Sequence, residues 1–204
     1  MIKFITTLLA LFMFSTSYAK EVKVGIILGF TGPIESLTPG MAAGAELAFN
    51  EASNSGALLD GSTVNSIRAD STCIDSAAAA SAAEFLISQG VTAIMGADCS
   101  GVTGAVLSNV AVPNGVPMIS PSATSPALTT AEDNGLFFRT APSDARGGEV
   151  LADITNDRGI TSVAITHVNT DYGVGFADVY EAAANATGTE VTAKTAHEGA
   201  NADH

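Results

Sequence analysis

Apolar runs alternate along the chain with segments that carry helix signals. Five of these runs are predicted strands, the last being the weakest: Val22–Leu28, Val64–Ala69, Val91–Gly96, Val116–Ile119 and Leu136–Thr140. They have no helical period and are typical of strands buried in a parallel sheet. Three helices are predicted between them: Thr38–Ala52 with the Thr38 hydroxyl as cap, Ala77–Gln89 with Asp75 as cap, and Gly101–Val112. This regular alternation favours an α/β fold with a doubly wound parallel sheet.

The alternation is interrupted at Ala141–Asp144 and then restarts. The second part contains a predicted helix, strand, helix and strand: Arg146–Arg158, Ser162–Val168, Gly173–Ala186 and Glu190–Ala196. Two strands are too few to bury both faces of a sheet. We therefore expect a complete N-terminal α/β lobe over residues 20–141 and the start of a second, incomplete lobe over residues 142–204.

The first 19 residues have the pattern of a secretory signal peptide. Lys3 precedes the apolar stretch Ile5–Phe14, and small residues lead up to Ala19. This apolar stretch is too short to cross a bilayer, which makes a membrane anchor the weaker alternative. The pattern predicts export, with cleavage after Ala19.

The balance of charges argues against two classes of partner. The chain has 8 Lys and Arg residues against 21 Asp and Glu residues, and its net charge is −13. Binding to nucleic acid or to an anionic membrane surface requires clusters of basic side chains, so neither is expected.

Cys73 and Cys99 follow the ends of two predicted strands. In an oxidising compartment such a pair is predicted to form a disulfide, and closing a loop of about 25 residues stabilises a fold by about 3–4 kcal/mol. The alternatives are two free buried thiols, or Cys99 as a nucleophile. The second alternative needs a histidine partner, and the three histidines are distant in sequence: His167, His197 and His204.

Two hydroxyl-rich segments, Asp98–Gly101 and Ser120–Pro126, directly follow predicted strands. Ligands of open α/β sheets bind outside the carboxyl ends of the strands. These two segments therefore predict a binding site lined by hydrogen-bond donors for a small polar ligand. Ser100 is the expected N-cap of a helix, where an anion is favoured, and the hydroxyl of Thr124 can donate to a carboxylate. The alternatives are an ordinary helix cap and an ordinary turn hydroxyl.

Little in the sequence points to catalysis. The segments above are not accompanied by a nucleophile–base pair or a cluster of metal-ligand residues, so we expect no metal and no cofactor. Three acidic residues are interpreted as helix caps and solvated loop ends rather than as an acid–base pair: Asp70, Asp75 and Asp98. The pattern therefore favours binding over turnover.

Taken in order, several short motifs resemble the periplasmic solute-binding proteins of ABC transporters, specifically the leucine/isoleucine/valine-binding family. These motifs are Val24–Ile26 with Thr31–Pro33, Asn50–Ala52, Asp70–Cys73, Asp98–Ser100, Ile119–Thr124, Phe138–Thr140 and Asp171–Gly173. The resemblance implies a two-lobed type I periplasmic-binding-protein fold with the solute held between the lobes. Family members are roughly twice as long, so the resemblance also implies a truncated chain.

The resemblance assigns roles to individual residues. Ser100 and Thr124 would hold the α-carboxylate of an amino acid, and the loop Ser122–Thr124, which includes Ala123, would offer the backbone carbonyl of Ser122 to the ammonium group. Tyr172 would face the ligand from the opposite wall, unless it simply packs at a helix start. Leu37 stands where several family members have an aromatic residue, which puts a strictly leucine-type ligand in question. The acid that pairs with the ammonium is expected in the absent part of the family's length.

These expectations combine into one functional hypothesis. The chain would be a monomeric, non-enzymatic periplasmic protein that captures a branched-chain or related amino acid, or a similar small polar solute, for the membrane permease of an ABC importer. One alternative is the ligand-sensing domain of a receptor, or an amide- or urea-type regulator, with the same fold. A secreted hydrolase is the other alternative, and no catalytic triad supports it.

Overall fold

A computed structural model of the chain describes residues 20–199, so the predicted signal peptide lies outside the described residues. Within this range the strands are β1 Glu21–Leu28, β2 Thr63–Asp70, β3 Ala93–Gly96, β4 Met118–Ser120, β5 Phe137–Arg139, β6 Ser162–Val168 and β7 Glu190–His197. The helices are α1 Thr38–Asn54, α2 Ser76–Ser88, α3 Ser100–Val106, α4 Val112–Asn114, α5 Asp144–Asp157 and α6 Asp171–Thr187. A π-helical turn, Leu107–Ala111, joins α3 to α4 without a break.

The first five strands form one parallel sheet in the order β2-β1-β3-β4-β5. β1 pairs with β2 along its whole length, from Glu21 opposite Thr63 to Leu28 opposite Asp70. Because every neighbouring pair is parallel, the carboxyl ends of all five strands lie at one edge. The predicted α/β class and parallel sheet are confirmed.

The sheet separates two apolar layers, because successive residues of a strand point to opposite faces. On one face, Ile27 and Ile94 are buried against Leu86 of α2 and Val106 of α3. On the other face, Ile26 and Leu28 are buried with Ala42 of α1, and partly buried side chains such as Phe49 pack around them. The helices of the two layers thereby fix the loops at the carboxyl edge of the sheet.

The second part of the chain has its own parallel pair, β6 and β7, with α5 and α6 packed together. A Cβ on Gly148 of α5 would lie 2.6 Å from Val179 Cγ1 of α6, so these two helices are in close contact. The hydroxyls of Thr155 and Tyr180 also meet between them, 3.0 Å apart. Most of β7 is exposed. The division into lobes at residue 141 stays a prediction.

Of the helix N-caps predicted at Thr38 and Asp75, only the one at Asp75 is confirmed. Asp75 caps α2 as predicted, since its carboxylate accepts from the amides of Ala77 and Ala78 at 2.9 Å each. The cap predicted at Thr38 is wrong, because Leu37 occupies the N-cap position of α1. The Thr38 hydroxyl is buried and donates to the carbonyl oxygen of Gly29 at 3.0 Å, which ties α1 to the loop after β1.

Between residues 20 and 199, none of the helices combines the length and the apolar character that crossing a bilayer requires.

Candidate functional site

A cleft of about 850 Å³ lies between the carboxyl edge of the five-stranded sheet and the beginning of α6. Its lining comes from both parts of the chain. Among the lining residues are Pro33, Leu37, Ile74, Asp98, Ser100, Gly101, Ser122, Thr124, Asp144, Thr170, Asp171 and Tyr172. This volume and this mixture of apolar and polar groups are typical of a small-molecule site.

The buried carboxylate of Asp98 organises the floor of the cleft. It is 2% exposed and accepts from the amide of Gly29 at 2.6 Å, from the hydroxyl of Ser71 at 3.1 Å and from the amide of Cys99 at 2.9 Å. These bonds join the loops that follow β1, β2 and β3. Asp98 is therefore a buried structural link at a loop end, and the expectation that it would be solvated is wrong.

The predicted disulfide between Cys73 and Cys99 is confirmed, with an S–S distance of 2.05 Å and a Cα–Cα distance of 5.2 Å. This bond rules out the alternatives of two free thiols and of a nucleophilic Cys99. Both half-cystines line the cleft. The disulfide therefore fixes one wall of the cleft to the N-terminus of α3.

The turn formed by Thr72 and Cys73 has an uncommon backbone conformation. Thr72 and Cys73 have φ angles of 58° and 68°, in the left-handed region that residues other than glycine rarely adopt. Asp70 supports the turn by accepting from the amide of Thr72 at 2.8 Å and from the hydroxyl of Thr31 at 2.6 Å. Partial burial raises the pKa of Asp70, but these hydrogen bonds outweigh burial and the net pKa is lowered.

Ser100 lies at the cleft, but not as the predicted N-cap. Cys99 is the N-cap of α3 and provides no side-chain cap, while Ser100 is the first helical residue. Its hydroxyl oxygen accepts from the amide of Ser125 at 3.1 Å. Among the described residues the hydroxyl has no acceptor for its own hydrogen, so it can donate to a ligand. No side chain caps the first turn, so the amides near Gly101 are available to a polar ligand in the cleft.

The loop after β4 carries the next three predicted residues. Thr124 lines the cleft, and among the described residues neither its amide nor its hydroxyl has a partner. Ser122 also lines the cleft, but its hydroxyl donates to the carbonyl of Asp98 at 3.0 Å. Ala123 is the exception, because it is fully buried and its amide donates to Ser120 Oγ at 3.0 Å. The structure thus does not bring Ala123 to the cleft.

Arg139 braces this loop from behind. Its Nη1 donates to the carbonyl oxygens of Ala123, at 3.3 Å, and Ser125, at 2.9 Å. Its Nη2 donates to the hydroxyl of Thr129 at 2.5 Å. A rigid guanidinium fork that bonds to two carbonyls and a hydroxyl holds the loop in one conformation, so the donors of Thr124 are positioned before any ligand arrives.

Leu37 and Tyr172 contribute apolar surface from opposite parts of the chain. Leu37 is 58% exposed at the start of α1, and Tyr172 is 46% exposed at the start of α6. The ring of Tyr172 is stacked near that of Phe176, with centroids 6.5 Å apart. Both side chains line the cleft, as does the exposed Ile74. The cleft therefore combines polar groups at the strand ends with apolar groups at its rim.

Asp144 is a cleft residue that sequence reasoning missed. It lines the cleft, and its Oδ2 is buried without any hydrogen-bond partner. Its amide donates to the carbonyl of Thr124 at 3.0 Å, which places the acid beside the predicted carboxylate site. The sequence signal that could have found it is an acid directly after a helix cap. The hydroxyl of Ser143 caps α5 by accepting from the amide of Ala145, and Asp144 is the next residue. An acid of the cleft is thus present in the described chain.

Across residues 20–199, no group of three or more His, Cys, Asp or Glu side chains is placed to hold a metal ion.

Comparison with known proteins identifies the family. A family model described as periplasmic binding protein matches residues 21–204. The chain belongs to this family. A Leu/Ile/Val-binding protein homologue from Brucella melitensis is 33% identical over 181 residues, which is 87% of this chain and 47% of that protein. The predicted resemblance is therefore confirmed, and the family is one of binding proteins rather than enzymes.

Solved structures of periplasmic binding proteins share the fold. The branched-chain amino acid transporter substrate binding protein LivJ from Streptococcus pneumoniae, solved in complex with isoleucine, has a TM-score of 0.76 and 28% identity. That match covers 90% of this chain and 51% of the other. A solute binding protein from R. palustris, in complex with benzoate, has a TM-score of 0.79 at 22% identity over 90% and 50% of the two chains, and shows the fold alone. The chain spans about half the length of these relatives.

Proposed function

We propose that this protein is the periplasmic substrate-binding component of an ABC importer and that it captures a branched-chain or related amino acid in the cleft. The observation that carries the proposal is the pairing of free donors with a free acid. Ser100 and Thr124 offer hydroxyl and amide hydrogens, and Asp144 offers an unpartnered carboxylate oxygen beside them. Free donors and a free acid in one cleft complement the carboxylate and ammonium of a zwitterion.

Neutral donors are well suited to hold the carboxylate. Among the described residues that line the cleft there is no Lys or Arg. The carboxylate would instead receive hydrogen bonds from Ser100, Thr124 and the first turn of α3, where the helix dipole favours negative charge. Hydrogen bonds to an ionised group are shorter and stronger than neutral ones, so a few fixed donors suffice.

The ammonium group would lie on the acidic side of the same loop. Asp144 supplies the ion-pair partner, and the backbone carbonyl of Ser122 is a further acceptor. Asp144 lines the cleft together with Asp98, Asp171 and Glu198, and these acids would repel a bound anion that has no amino group. This argument favours an amino acid over an aromatic acid such as the benzoate bound by the R. palustris protein.

Apolar groups at the rim would hold the ligand side chain. Leu37 and Ile74 belong to the first part of the chain, and Tyr172 faces them from α6. Contact from both sides is consistent with capture by closure of two lobes, followed by delivery to a membrane permease. A ligand-sensing domain would use the same geometry, and transport of the ligand by cells that lack the gene for the protein distinguishes the two functions.

Three related compounds test the proposal. Isothermal titration calorimetry of the purified protein compares leucine with 3-methylbutylamine, which lacks the carboxylate, and with 4-methylpentanoate, which lacks the ammonium group. We expect leucine to bind and each analogue to bind at least about 100-fold more weakly, because each leaves charged or polar cleft groups unpaired. Equal binding of leucine and 4-methylpentanoate would contradict the role of Asp144. No binding of leucine, isoleucine or valine would contradict the proposed ligand class.

A further inference from the structure

Helix α6 makes a backbone-level contact with the loop that carries Thr124. A Cβ placed on Gly175 of α6 would lie 3.0 Å from Cδ of Pro126 and 3.2 Å from Oγ of Ser125. Both distances are shorter than ordinary van der Waals contact. The helix therefore lies so close to the loop that a side chain at this position would require the loop to shift by a few tenths of an ångström.

The surface that α6 contacts belongs to the binding loop. Ser125 is 2% exposed, and its amide donates to the hydroxyl of Ser100 at 3.1 Å. Pro126 begins the short 3₁₀ turn Pro126–Thr129, whose Thr129 hydroxyl accepts from Arg139. Because Ser125 is hydrogen-bonded to Ser100, a shift of α6 against Ser125 would also change the position of α6 relative to Ser100.

The same helix carries the opposite wall of the cleft. Tyr172 precedes Gly175 by about one helical turn and lines the cleft. At the start of the helix, Asp171 approaches α3, because a Cβ on Gly101 would lie 3.5 Å from Oδ2 of Asp171. Two contacts therefore hold the first turn of α6 close to the loops that bear Ser100 and Thr124.

Helix stability alone does not account for a glycine at this site. Glycine is the least favourable helical residue after proline, because its backbone loses the most freedom on ordering. Gly44 in α1 offers a direct contrast, since a Cβ there would meet nothing within 4 Å. The distinguishing property of Gly175 is the close approach that it permits between α6 and the loop.

We propose that Gly175 is a positioning residue that sets the width of the cleft. By allowing α6 to lie directly on Ser125 and Pro126, it fixes the separation between the Tyr172 wall and the donors of Ser100 and Thr124. This inference rests on the proposed function, because the cleft width matters for a ligand that both walls contact.

Substitutions at Gly175 test the proposal against matched substitutions at Gly44. Gly175→Ala is expected to weaken leucine binding about 10-fold and Gly175→Leu at least about 100-fold, which are the effects of overpacking a close contact. The loss should appear mainly as faster dissociation in stopped-flow measurements. Gly44→Ala and Gly44→Leu should bind as the unmodified protein does. Thermal unfolding of Gly175→Ala should occur close to the temperature of the unmodified protein, because the helix propensity of alanine offsets part of the cost of the tight contact.

A double variant separates positioning from a general structural effect. Pro126→Ala removes the Cδ atom that lies closest to the added methyl group. Gly175→Ala combined with Pro126→Ala should therefore recover part of the affinity lost by Gly175→Ala alone, as a double-mutant cycle measures. Strictly additive losses in this cycle would contradict a contact between the two positions.

A ligand-independent measurement keeps the two proposals distinguishable. Pulsed electron paramagnetic resonance measures the distance between nitroxide labels on Glu84 of α2 and Asp157 of α5. Gly175→Leu should shift this distance distribution, and Gly44→Leu should leave it unchanged. An unchanged distribution in Gly175→Leu overturns the positioning role even if leucine binds. A shifted distribution in a protein that binds none of the amino acids supports the positioning role and overturns the proposed ligand class.

Discussion

The amide of Asp144 donates a 3.0 Å hydrogen bond to the carbonyl oxygen of Thr124. This bond joins the first residue of α5 to the loop after β4, so the unpartnered acid and the free donors of Thr124 lie side by side in the cleft. It places groups for both charges of a zwitterion on two adjoining segments. The proposed carboxylate and ammonium sites therefore depend on the same backbone contact.

Asp144→Asn should weaken leucine binding about 10- to 100-fold, because a charge-assisted hydrogen bond to the ammonium becomes a neutral one. The backbone bond to Thr124 is retained, so the unfolding temperature should change little. Calorimetry measures the affinity, with Asp157→Asn at the exposed end of the same helix as the control. Unchanged leucine affinity in Asp144→Asn would show that the acid does not contact the ligand.

Removal of the disulfide should destabilise the fold by about 3–4 kcal/mol, as the chain-entropy model gives for a loop of this size. The bridge closes a sequence separation of 26 residues and fixes Cys73 to the residue before α3. Urea unfolding of Cys73→Ser combined with Cys99→Ser measures the loss. A loss below about 1 kcal/mol would show that the hydrogen bonds of Asp70 and Asp98 hold the loops without the bridge.

Acid should weaken the fold through Asp70. Hydrogen bonds from Thr31 and Thr72 lower its pKa in the folded protein below the ordinary value of 3.8. The stability that Asp70 contributes is therefore fully present above pH 3.8 and is lost as the pH falls through the folded-state pKa. The difference in unfolding free energy between the unmodified protein and Asp70→Asn should be constant near neutral pH and shrink in acid. A difference that grows in acid would contradict the sign.

Regular elements could be predicted from sequence because their signals are local. β6 was predicted with the bounds Ser162–Val168 that the structure has, since its β-branched run is followed by the polar pair Asn169 and Thr170. The Asp75 cap is equally local, because its carboxylate accepts from amides only two and three residues further along the chain. The parallel sheet and its shared carboxyl edge followed from the alternation of strand and helix, whereas the order β2-β1-β3-β4-β5 comes from the structure alone.

The roles of hydroxyls could not be predicted in the same way, because their partners are distant in sequence. Ser100 and Thr38 both stand at helix starts, which favours caps, yet the structure gives each a tertiary partner. The hydroxyl of Ser100 accepts from Ser125, and that of Thr38 donates to Gly29. A short hydroxyl side chain serves either purpose, and only the packing of loops decides between them.

Two features of the cleft are visible only in three dimensions. The acid of Asp144 is distinctive because its Oδ2 is buried without a partner, and sequence shows only an acid in the first turn of a helix. Gly175 is distinctive because of its distance from Pro126, and sequence shows only one of several glycines. Ala123 was predicted as a binding residue only because it belongs to the motif Ser122–Thr124. Its side chain is fully buried and its amide donates to Ser120, so it does not line the cleft.

The most direct measurement of the central claim is calorimetric titration of leucine into Ser100→Ala combined with Thr124→Ala. The matched control is Ser108→Ala combined with Thr130→Ala, which also removes one serine and one threonine hydroxyl, but from exposed positions outside the cleft. We expect the Ser100 and Thr124 variant to lose detectable binding at a concentration that saturates the control. Equal affinity in the two variants would contradict a ligand carboxylate held by Ser100 and Thr124.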